Sequence, residues 1–267
     1  MSDNAVGPGW TRRYSSDALR TQLYMKAVRT DKRDDRCDEP LISGRFVLSY
    51  TQRMRSKSRY LVVVFLLGAL PAFAQSPDVL WNSLMEGNRA FVAGHLKFDD
   101  LAEQRHHSAD HQNPPVTLLS CADSRVPPEL VFNRSIDQLF VIRVAGNVAG
   151  PFDLASIEYA VANGYTKLIV VLGHEECGAV RAALDPSDPG SPSLVALVQR
   201  IRQSFVGLDH WSTDPATVRR AVEANARASA TFLSANSKII RDAVQSGKVA
   251  IVVAYYNLAT GEVERVR

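Results

Sequence analysis

The chain has 267 residues, of which 46% are hydrophobic and 22% charged, enough apolar material for one or two globular domains with a sizeable core. The formal net charge of +3 is unevenly spread: residues 1–60 contain 13 Lys and Arg against 7 Asp and Glu, and residues 61–267 contain 18 against 21. The larger part is mildly acidic, which argues against a nucleic-acid-binding surface, and three Cys are too few for a disulfide framework.

The first 53 residues are polar and show little apolar periodicity. They are rich in Arg, Asp and Ser, and residues 31–36 are all charged. Such a composition cannot bury enough apolar surface to offset the entropy of ordering the chain, so it predicts disorder for residues 1–53. Cys37 lies in this region, and its polar surroundings give it no predicted role.

The composition changes abruptly at Met54. Residues 54–59 carry three positive charges, residues 61–70 are an apolar run, and Ala72-Phe73-Ala74 has the small-x-small pattern of a cleavage site. This order of features is typical of a secretory signal peptide. The apolar run is shorter than the roughly 20 residues of a membrane span; an uncleaved membrane anchor or a buried strand is the alternative.

A signal peptide over residues 54–74 has two consequences. Because a signal peptide begins a protein, residues 1–53 are predicted to be either a disordered extension or one that is not translated, with Met54 as the true start. The mature chain, residues 75–267, is then predicted to be exported, which in a bacterium means the periplasm.

Residues 75–267 alternate between helical and strand patterns. In chain order, the periodicity predicts a helix over 77–94, a polar helix or loop over 101–111, strands over 116–120 and 139–143, a helix over 154–164, a strand over 168–172, helices over 177–184, 194–205, 214–235 and 237–246, and strands over 249–256 and 262–266. Phe152, Ile157 and Val161 are predicted core residues. Apolar strands alternating with helices are typical of an α/β fold, with a central, mainly parallel sheet flanked by helices.

Three metal-binding side chains follow two of the predicted strands. Cys121 comes directly after the strand at 116–120, and His174 and Cys177 follow the strand at 168–172. Ligand sites in parallel sheets gather beyond the carboxyl ends of the strands. Two thiols and one imidazole supply three zinc ligands, and a catalytic zinc site keeps its fourth position open. The pattern therefore predicts a catalytic zinc centre.

Two charged residues follow the first ligand at close spacing. Asp123 can accept a hydrogen bond from zinc-bound hydroxide, which forms at neutral pH because zinc lowers the pKa of its water to about 7. The same carboxylate can instead occupy the fourth zinc position and close the site. Arg125 can hold Asp123 through two hydrogen bonds and so keep it off the metal.

Structural alternatives exist for each part of this pattern. Cys121 and Cys177 could form a disulfide in an oxidising compartment, His174 could be a core histidine, and Asp123 with Arg125 could be a structural ion pair. A second cluster of imidazoles comprises His106, His107 and His111. The favoured interpretation is that they lie on a solvated surface, and a proton relay or a metal site is the alternative.

The joint pattern resembles the β-class carbonic anhydrases. That family carries Cys-x-Asp-Ser-Arg followed by His-x-x-Cys, and residues 121–125 and 174–177 match both motifs. The resemblance extends over roughly residues 78–265. It includes four further stretches, at 87–91, 125–129, 143–147 and 173–179.

The resemblance implies reversible hydration of carbon dioxide to bicarbonate and a proton by zinc-bound hydroxide. It implies one zinc ion per subunit, bound by Cys121, His174 and Cys177, with Asp123 and Arg125 as the catalytic pair. Hydrolysis of a related small molecule such as carbon disulfide on the same residues is the nearest alternative. A zinc-binding or redox-sensing protein is the non-enzymatic one, but it needs neither Asp123 nor Arg125.

The resemblance also implies substrate contacts and an assembly. Gln112 matches a glutamine that donates a hydrogen bond to substrate, Val126 an apolar wall of the carbon dioxide pocket, and Gly178 a backbone group beside it. A homodimer or a dimer of dimers is expected, with an N-terminal helical arm clasping the second subunit.

The sequence departs from one feature found in part of the family. Some members have an inhibitory bicarbonate pocket made by a Trp, an Arg and a Tyr. Arg143 and Tyr159 match this pocket, but Leu118 stands at the Trp position. The sequence therefore does not predict inhibition by bicarbonate.

Overall fold

The computed structural model describes residues 75–98, 100–208 and 211–267, so the predicted extension and signal peptide lie outside the described residues. The helices are α1 Pro77–Val92, α2 Leu101–His107, α3 Pro128–Val131, α4 Pro151–Ala162, α5 Gly178–Leu184, α6 Pro192–Arg202, α7 Pro215–Asn236 and α8 Lys238–Gln245, with a 3-10 turn at Ala145–Asn147. The strands are β1 Val116–Ser120, β2 Leu139–Arg143, β3 Leu168–His174, β4 Ala250–Tyr256 and β5 Val263–Arg265. None of the described helices combines the length and the apolar character that crossing a membrane requires.

The five strands form one sheet in the order β2-β1-β3-β4-β5. The first four strands in this order are parallel to their neighbours, and β5 is antiparallel to β4. Ser120 pairs with Leu172, so β1 and β3 reach the same edge of the sheet together. The predicted α/β class with a mainly parallel sheet is therefore confirmed.

The two central strands are buried along their whole length. Every residue of β1 and β3 is buried, and helices cover both faces of the sheet. Leu118 and Val170 pack with α1 and α3 on one face, whereas Leu119 and Val171 pack with α4, α7 and α8 on the other. Full burial of such a side chain stabilises the fold by about 1.5–3 kcal/mol.

Gly87 and Asn88 fasten α1 to the rest of the domain. A Cβ atom at Gly87 would lie 1.9 Å from the carbonyl oxygen of Phe132, so only glycine permits this approach. The buried Asn88 side chain donates to the carbonyls of Val131 and Gly261 and accepts from a backbone N–H of β5. The helix is thereby tied to the turn between β4 and β5.

Helix α4 differs from its prediction. It begins at Pro151 rather than at Leu154, because proline is well suited to the first helical position. Ile157 is fully buried and Val161 packs against the core, as predicted. The prediction for Phe152 was wrong: it is 87% exposed, because it lies one residue into the helix and faces away from the sheet.

Candidate metal centre

The sheet brings the three predicted ligands to one edge. Cys121 is the first residue after β1, and His174 is the last residue of the adjacent β3, two residues further than the predicted strand. Glu176 has a left-handed backbone, with φ 52°, and turns the chain so that Cys177 stands at the N-cap of α5. The ligating atoms of Cys121, His174 and Cys177 all lie within 4.8 Å of one another.

All three residues of this cluster are buried, and within the described part of the chain they form the one group of three or more such side chains that could hold a metal ion. Cys121 and Cys177 are free thiols in this structure, with their sulfur atoms 4.0 Å apart, so both sulfur atoms are available as ligands. Two sulfur atoms and one imidazole are a donor set that suits zinc.

The orientation of His174 supports metal binding. Its Nδ1 lies 2.8 Å from the carbonyl oxygen of Glu175. Because a carbonyl oxygen can only accept, Nδ1 must carry the proton, which leaves Nε2 with a free lone pair. Nε2 is buried and has no hydrogen-bond partner among the described residues. An unsatisfied buried nitrogen is costly in an ordinary core histidine but is expected of a metal ligand whose other nitrogen is held by a carbonyl.

Backbone groups surround the sulfur of Cys121. The N–H of Gly146 donates to Cys121 Sγ at 3.3 Å, and the buried Asn225 of α7 donates to the carbonyl of Gly146 at 2.6 Å. Gly146 has φ +68°, and a Cβ atom there would lie 2.8 Å from Cδ1 of Ile201. The pKa of Cys121 is lowered to about 4, chiefly by the hydrogen bond from Cys177, with further contributions from His174 and from backbone N–H groups.

The two thiols share one hydrogen bond, which lowers the pKa of Cys121 but raises that of Cys177. The pKa of Cys177 is raised, first by its hydrogen bond to Cys121 and then by burial. The backbone N–H groups of Val180 and Ala179, in the first turn of α5, act in the other direction and favour the thiolate. Binding of a metal to both sulfur atoms requires two thiolates and therefore releases thiol protons.

Asp123 is held by Arg125 at the border of the cluster. Arg125 donates from Nε to Oδ1 at 2.9 Å and from Nη2 to Oδ2 at 2.7 Å, and its backbone N–H also donates to Oδ1. This side-chain pair holds the pKa of Asp123 well below its ordinary range, so the carboxylate is ionised and can only accept hydrogen bonds. Asp123 Oδ2 lies 3.9 Å from His174 Nε2, within reach of anything bound there.

Arg143 holds the loop that carries Cys121 and Asp123 through hydrogen bonds to its backbone. Its Nε donates to the carbonyl of Cys121 at 3.0 Å and its Nη2 to the carbonyl of Asp123 at 2.6 Å. Tyr159 lies on α4, half-exposed, and stacks on Phe140. The structure thus gives Arg143 a role in shaping the metal loop.

The three predicted substrate contacts fall in different places. Val126 is fully buried directly after the loop, and its N–H donates to the carbonyl of Asp123. Gly178 is exposed at the first position of α5. Gln112 is exposed and precedes β1, whereas Cys121 follows it. Because β1 spans about 17 Å at 3.3 Å per residue, Gln112 lies at the opposite edge of the sheet from its own cluster.

The histidines of α2 lie on the surface. His106 and His107 are exposed, and His107 contacts Glu103 at 3.4 Å. His111 is also exposed, in the segment after the helix. The structure therefore favours the predicted solvated surface for this trio.

Sequence reasoning missed the contributions of Gly146, Asn225 and Glu175. Gly146 lies in a turn-rich segment that the sequence signals only as a loop. Asn225 is 104 residues from Cys121 and sits within an ordinary helical pattern, so no local signal connects the two. The contact from Glu175 to the β4–β5 turn likewise spans more than eighty residues.

Comparisons with known proteins agree with this geometry. A carbonic anhydrase family model matches residues 116–263. The chain is 36% identical over 198 residues to a carbonic anhydrase of Mycolicibacterium smegmatis, covering 71% of this chain and 93% of that protein. It is 35% identical over 196 residues to carbonic anhydrase 2 of Mycobacterium tuberculosis, covering 70% and 91% of the two chains.

Solved structures show the same fold. The β-carbonic anhydrase of Coccomyxa, in complex with acetazolamide, superposes with a TM-score of 0.56 at 28% identity, covering 68% of this chain and 84% of that one. Tetrameric β-carbonic anhydrases of Sordaria macrospora give a TM-score of 0.56 at 24% identity, covering 71% and 94%, and show the fold alone. The chain belongs to the carbonic anhydrase family, in its β-class, the enzymes that hydrate carbon dioxide reversibly to bicarbonate and a proton.

Proposed function

We propose that this chain hydrates carbon dioxide on one zinc ion per subunit, held by Cys121, His174 and Cys177, with Asp123 and Arg125 as the catalytic pair. The observation that carries the proposal is the position of an ionised, doubly hydrogen-bonded carboxylate 3.9 Å from an unpartnered, buried imidazole nitrogen. A protein that only stores metal needs no such carboxylate.

Asp123 and Arg125 have different roles in the proposed reaction. Zinc bound here would supply a nucleophile at neutral pH by lowering the pKa of a water molecule to about 7. Asp123 can only accept hydrogen bonds, so it would accept one from the O–H of that nucleophile and orient a lone pair of the nucleophile's oxygen towards the carbon of the substrate. Arg125 keeps Asp123 in this position, since a carboxylate without that partner could bind the metal itself.

Substrate contacts are assigned to Val126, Gly178 and Gln112. Val126 offers an apolar wall that suits carbon dioxide, and Gly178 leaves its backbone accessible because it has no side chain. Gln112 cannot reach the cluster of its own chain across the length of β1. We therefore assign it to the metal centre of a second subunit.

The surface around Gln112 supports a homodimer. The outer edge of β2 pairs with no other described strand, and exposed edges of this kind favour association with another chain. The N–H of Asn113, next to Gln112, donates to Asp137, which borders an apolar depression. Exposed apolar side chains also lie just before α2, on α2, in the loop before β2 and on α4, which packs against β2: Phe98, Leu101, Ile136, Phe152 and Tyr159.

A two-fold axis at β2 accounts for both observations. It sets the two β2 strands antiparallel, so the amino edge of one sheet meets the carboxyl edge of the other, and Gln112 approaches the metal centre of the second copy. Helix α2 has no buried residue of its own and is the candidate for the clasping arm. A dimer of dimers needs a further surface.

The dimer is tested by a paired substitution. Phe152→Glu with Tyr159→Glu is expected to give a monomer in analytical ultracentrifugation that retains zinc and has lost most of its activity. Val206→Glu is the matched control, because Val206 is 91% exposed in the loop after α6. A fully active monomer contradicts the assignment of Gln112.

Export is a second part of the proposal. The features of residues 54–74 support a signal peptide that is removed before Gln75, and so a periplasmic enzyme in a bacterial source. N-terminal sequencing of protein isolated from its native cell is expected to begin at or near Gln75. A cytoplasmic protein that starts near Met1 contradicts this, and an exported but unprocessed one indicates a membrane anchor.

The activity itself is tested by stopped-flow carbon dioxide hydration on the mature chain, with zinc measured in the same preparation. We expect one zinc per subunit and hydration that is lost on chelation and restored by zinc. A zinc-loaded, folded protein without hydration activity contradicts the proposed function, and an assay with carbon disulfide then tests the nearest alternative.

A further inference from the structure

Glu175 lies between two metal ligands but faces away from them. Its carboxylate Oε2 accepts from the backbone N–H of Leu258 at 3.0 Å and from that of Ala259 at 3.2 Å. Both donors belong to the turn between β4 and β5, more than eighty residues further along the chain. Within the part of the chain that the structure describes, Leu258 N–H donates only to Glu175, whereas Ala259 N–H also donates to Asn257.

The backbone of the same residue holds the imidazole of His174. The carbonyl of Glu175 accepts a hydrogen bond from His174 Nδ1 at 2.8 Å, and the N–H of Glu175 donates to the carbonyl of Tyr256 at 2.8 Å. The backbone N–H of Glu175 is therefore hydrogen-bonded to the end of β4, and its carbonyl is hydrogen-bonded to the metal ligand His174. The orientation of this residue determines where His174 Nε2 points.

The turn that receives the carboxylate is itself rigid. Asn257 accepts from Ala259 and Thr260, and its own N–H donates to Glu262. The buried Asn88 of α1 also holds the turn, by donating to the carbonyl of Gly261. Glu175 is thus anchored to this turn by two backbone N–H groups that donate to one of its carboxylate oxygens.

We propose that Glu175 is a positioning residue, whose side chain fixes its own carbonyl and thereby the tautomer and direction of His174. The inference rests on the proposed zinc site. Outer partners of metal-bound histidines commonly change metal affinity or activity by about 10- to 100-fold when they are removed. Here the partner is a backbone carbonyl, and the side chain acts through it.

The geometry identifies the substitutions that separate hydrogen bonding from charge. Both turn N–H groups donate to one oxygen, so Glu175→Gln keeps an acceptor at that place, whereas Glu175→Ala removes it. Glu175→Asp keeps the charge but is one methylene shorter, and it serves where the alanine variant does not fold. Glu176→Gln is the matched control, because Glu176 is the adjacent residue and its described partner is the Arg181 side chain.

The experiment measures zinc release from purified holoenzyme to a chromogenic chelator, together with the visible spectrum of the Co²⁺-substituted protein. We expect Glu175→Ala, or Glu175→Asp, to release zinc about 10- to 100-fold faster and to shift the cobalt bands. Glu175→Gln and Glu176→Gln are expected to match the wild type in both measurements, and thermal unfolding confirms that each variant is folded.

Two results overturn the inference. One is a folded Glu175→Ala that releases zinc at the wild-type rate with an unchanged cobalt spectrum. The other is a Glu175→Gln that behaves like Glu175→Ala, since the effect then comes from charge rather than from the hydrogen bonds. A wild-type protein that binds no zinc overturns the proposed function as well, which distinguishes the two failures.

Discussion

Different interactions hold the interior of the sheet and the carboxyl ends of its strands. Along β1 and β3 every residue is buried, and the apolar side chains interact by packing alone. At the carboxyl ends of the same strands, individual hydrogen bonds hold the site: Gly146 donates to Cys121, Arg125 donates to Asp123, and His174 donates to the carbonyl of Glu175. The first region sets how stable the fold is, whereas the second sets what the fold can bind. Substitutions should therefore separate stability from activity.

The largest effect is expected at His174. Replacement by Ala removes one of the three metal ligands. The transition state then loses the several kcal/mol of electrostatic stabilisation that a bound metal supplies. Since each 1.36 kcal/mol is tenfold in rate, kcat/KM should fall by at least about 1000-fold while circular dichroism remains that of a folded protein. A zinc-containing variant with a tenth of wild-type activity contradicts the ligand assignment.

Leu119 tests the other region. It is fully buried in β1, and Leu119→Ala is expected to lower the free energy of unfolding by about 2–5 kcal/mol, through lost burial and a residual cavity. The folded fraction should still bind zinc and show near wild-type kcat/KM. Leu130→Ala, at a site that is 40% exposed, is the control and should change stability little. A large loss of activity in fully folded Leu119→Ala would contradict the separation between a sheet interior that determines stability and a metal site that determines activity.

A smaller effect on activity is expected at Arg125. Arg125→Ala frees the carboxylate of Asp123, which can then turn to the metal, and kcat/KM should fall by about 10- to 100-fold, as is common for outer partners of a metal site. Zinc content should stay at one per subunit, measured by metal analysis. A variant with wild-type kcat/KM across the pH range shows that the Asp123–Arg125 pair is structural.

The smallest effect is the acid limb of the pH profile. Because the hydrogen bonds from Arg125 depress the pKa of Asp123, this carboxylate stays ionised as the pH falls, until well below its ordinary value near 3.9. The decline in kcat/KM should therefore follow the zinc-activated nucleophile, with a midpoint near pH 7. In Arg125→Ala the freed carboxylate of Asp123 competes with hydroxide for the open metal position, so the midpoint should move to higher pH. A wild-type midpoint below pH 5 assigns the limb to a carboxyl group instead.

Predictability from sequence follows the same division. Short, mainly apolar runs predicted β1 and β2 to the residue, because strand formation depends on local patterning. Phe152 was placed wrongly, since its apolar character is not matched by a packing partner within one chain. The exposed surface around it became visible only once β2 was known to be an edge strand.

The candidate ligands could be predicted because each lies directly beyond a predicted strand, where parallel sheets bring side chains together. What could not be predicted is the support around them. Asn225 and the turn at 257–262 meet the metal loops only through the packing of α7 and the pairing of β4 with β5. No local pattern signals a contact of that kind.

The most direct test of the account is zinc K-edge X-ray absorption on the mature protein, purified without chelator at about pH 8. The structure predicts two sulfur ligands at about 2.3 Å and one imidazole nitrogen at about 2.0–2.1 Å, with the remaining position taken by an oxygen. Any zinc that the His174→Ala variant retains should show no imidazole scattering. Zinc without sulfur ligands, or a protein with no zinc and a Cys121–Cys177 disulfide, contradicts the central claim.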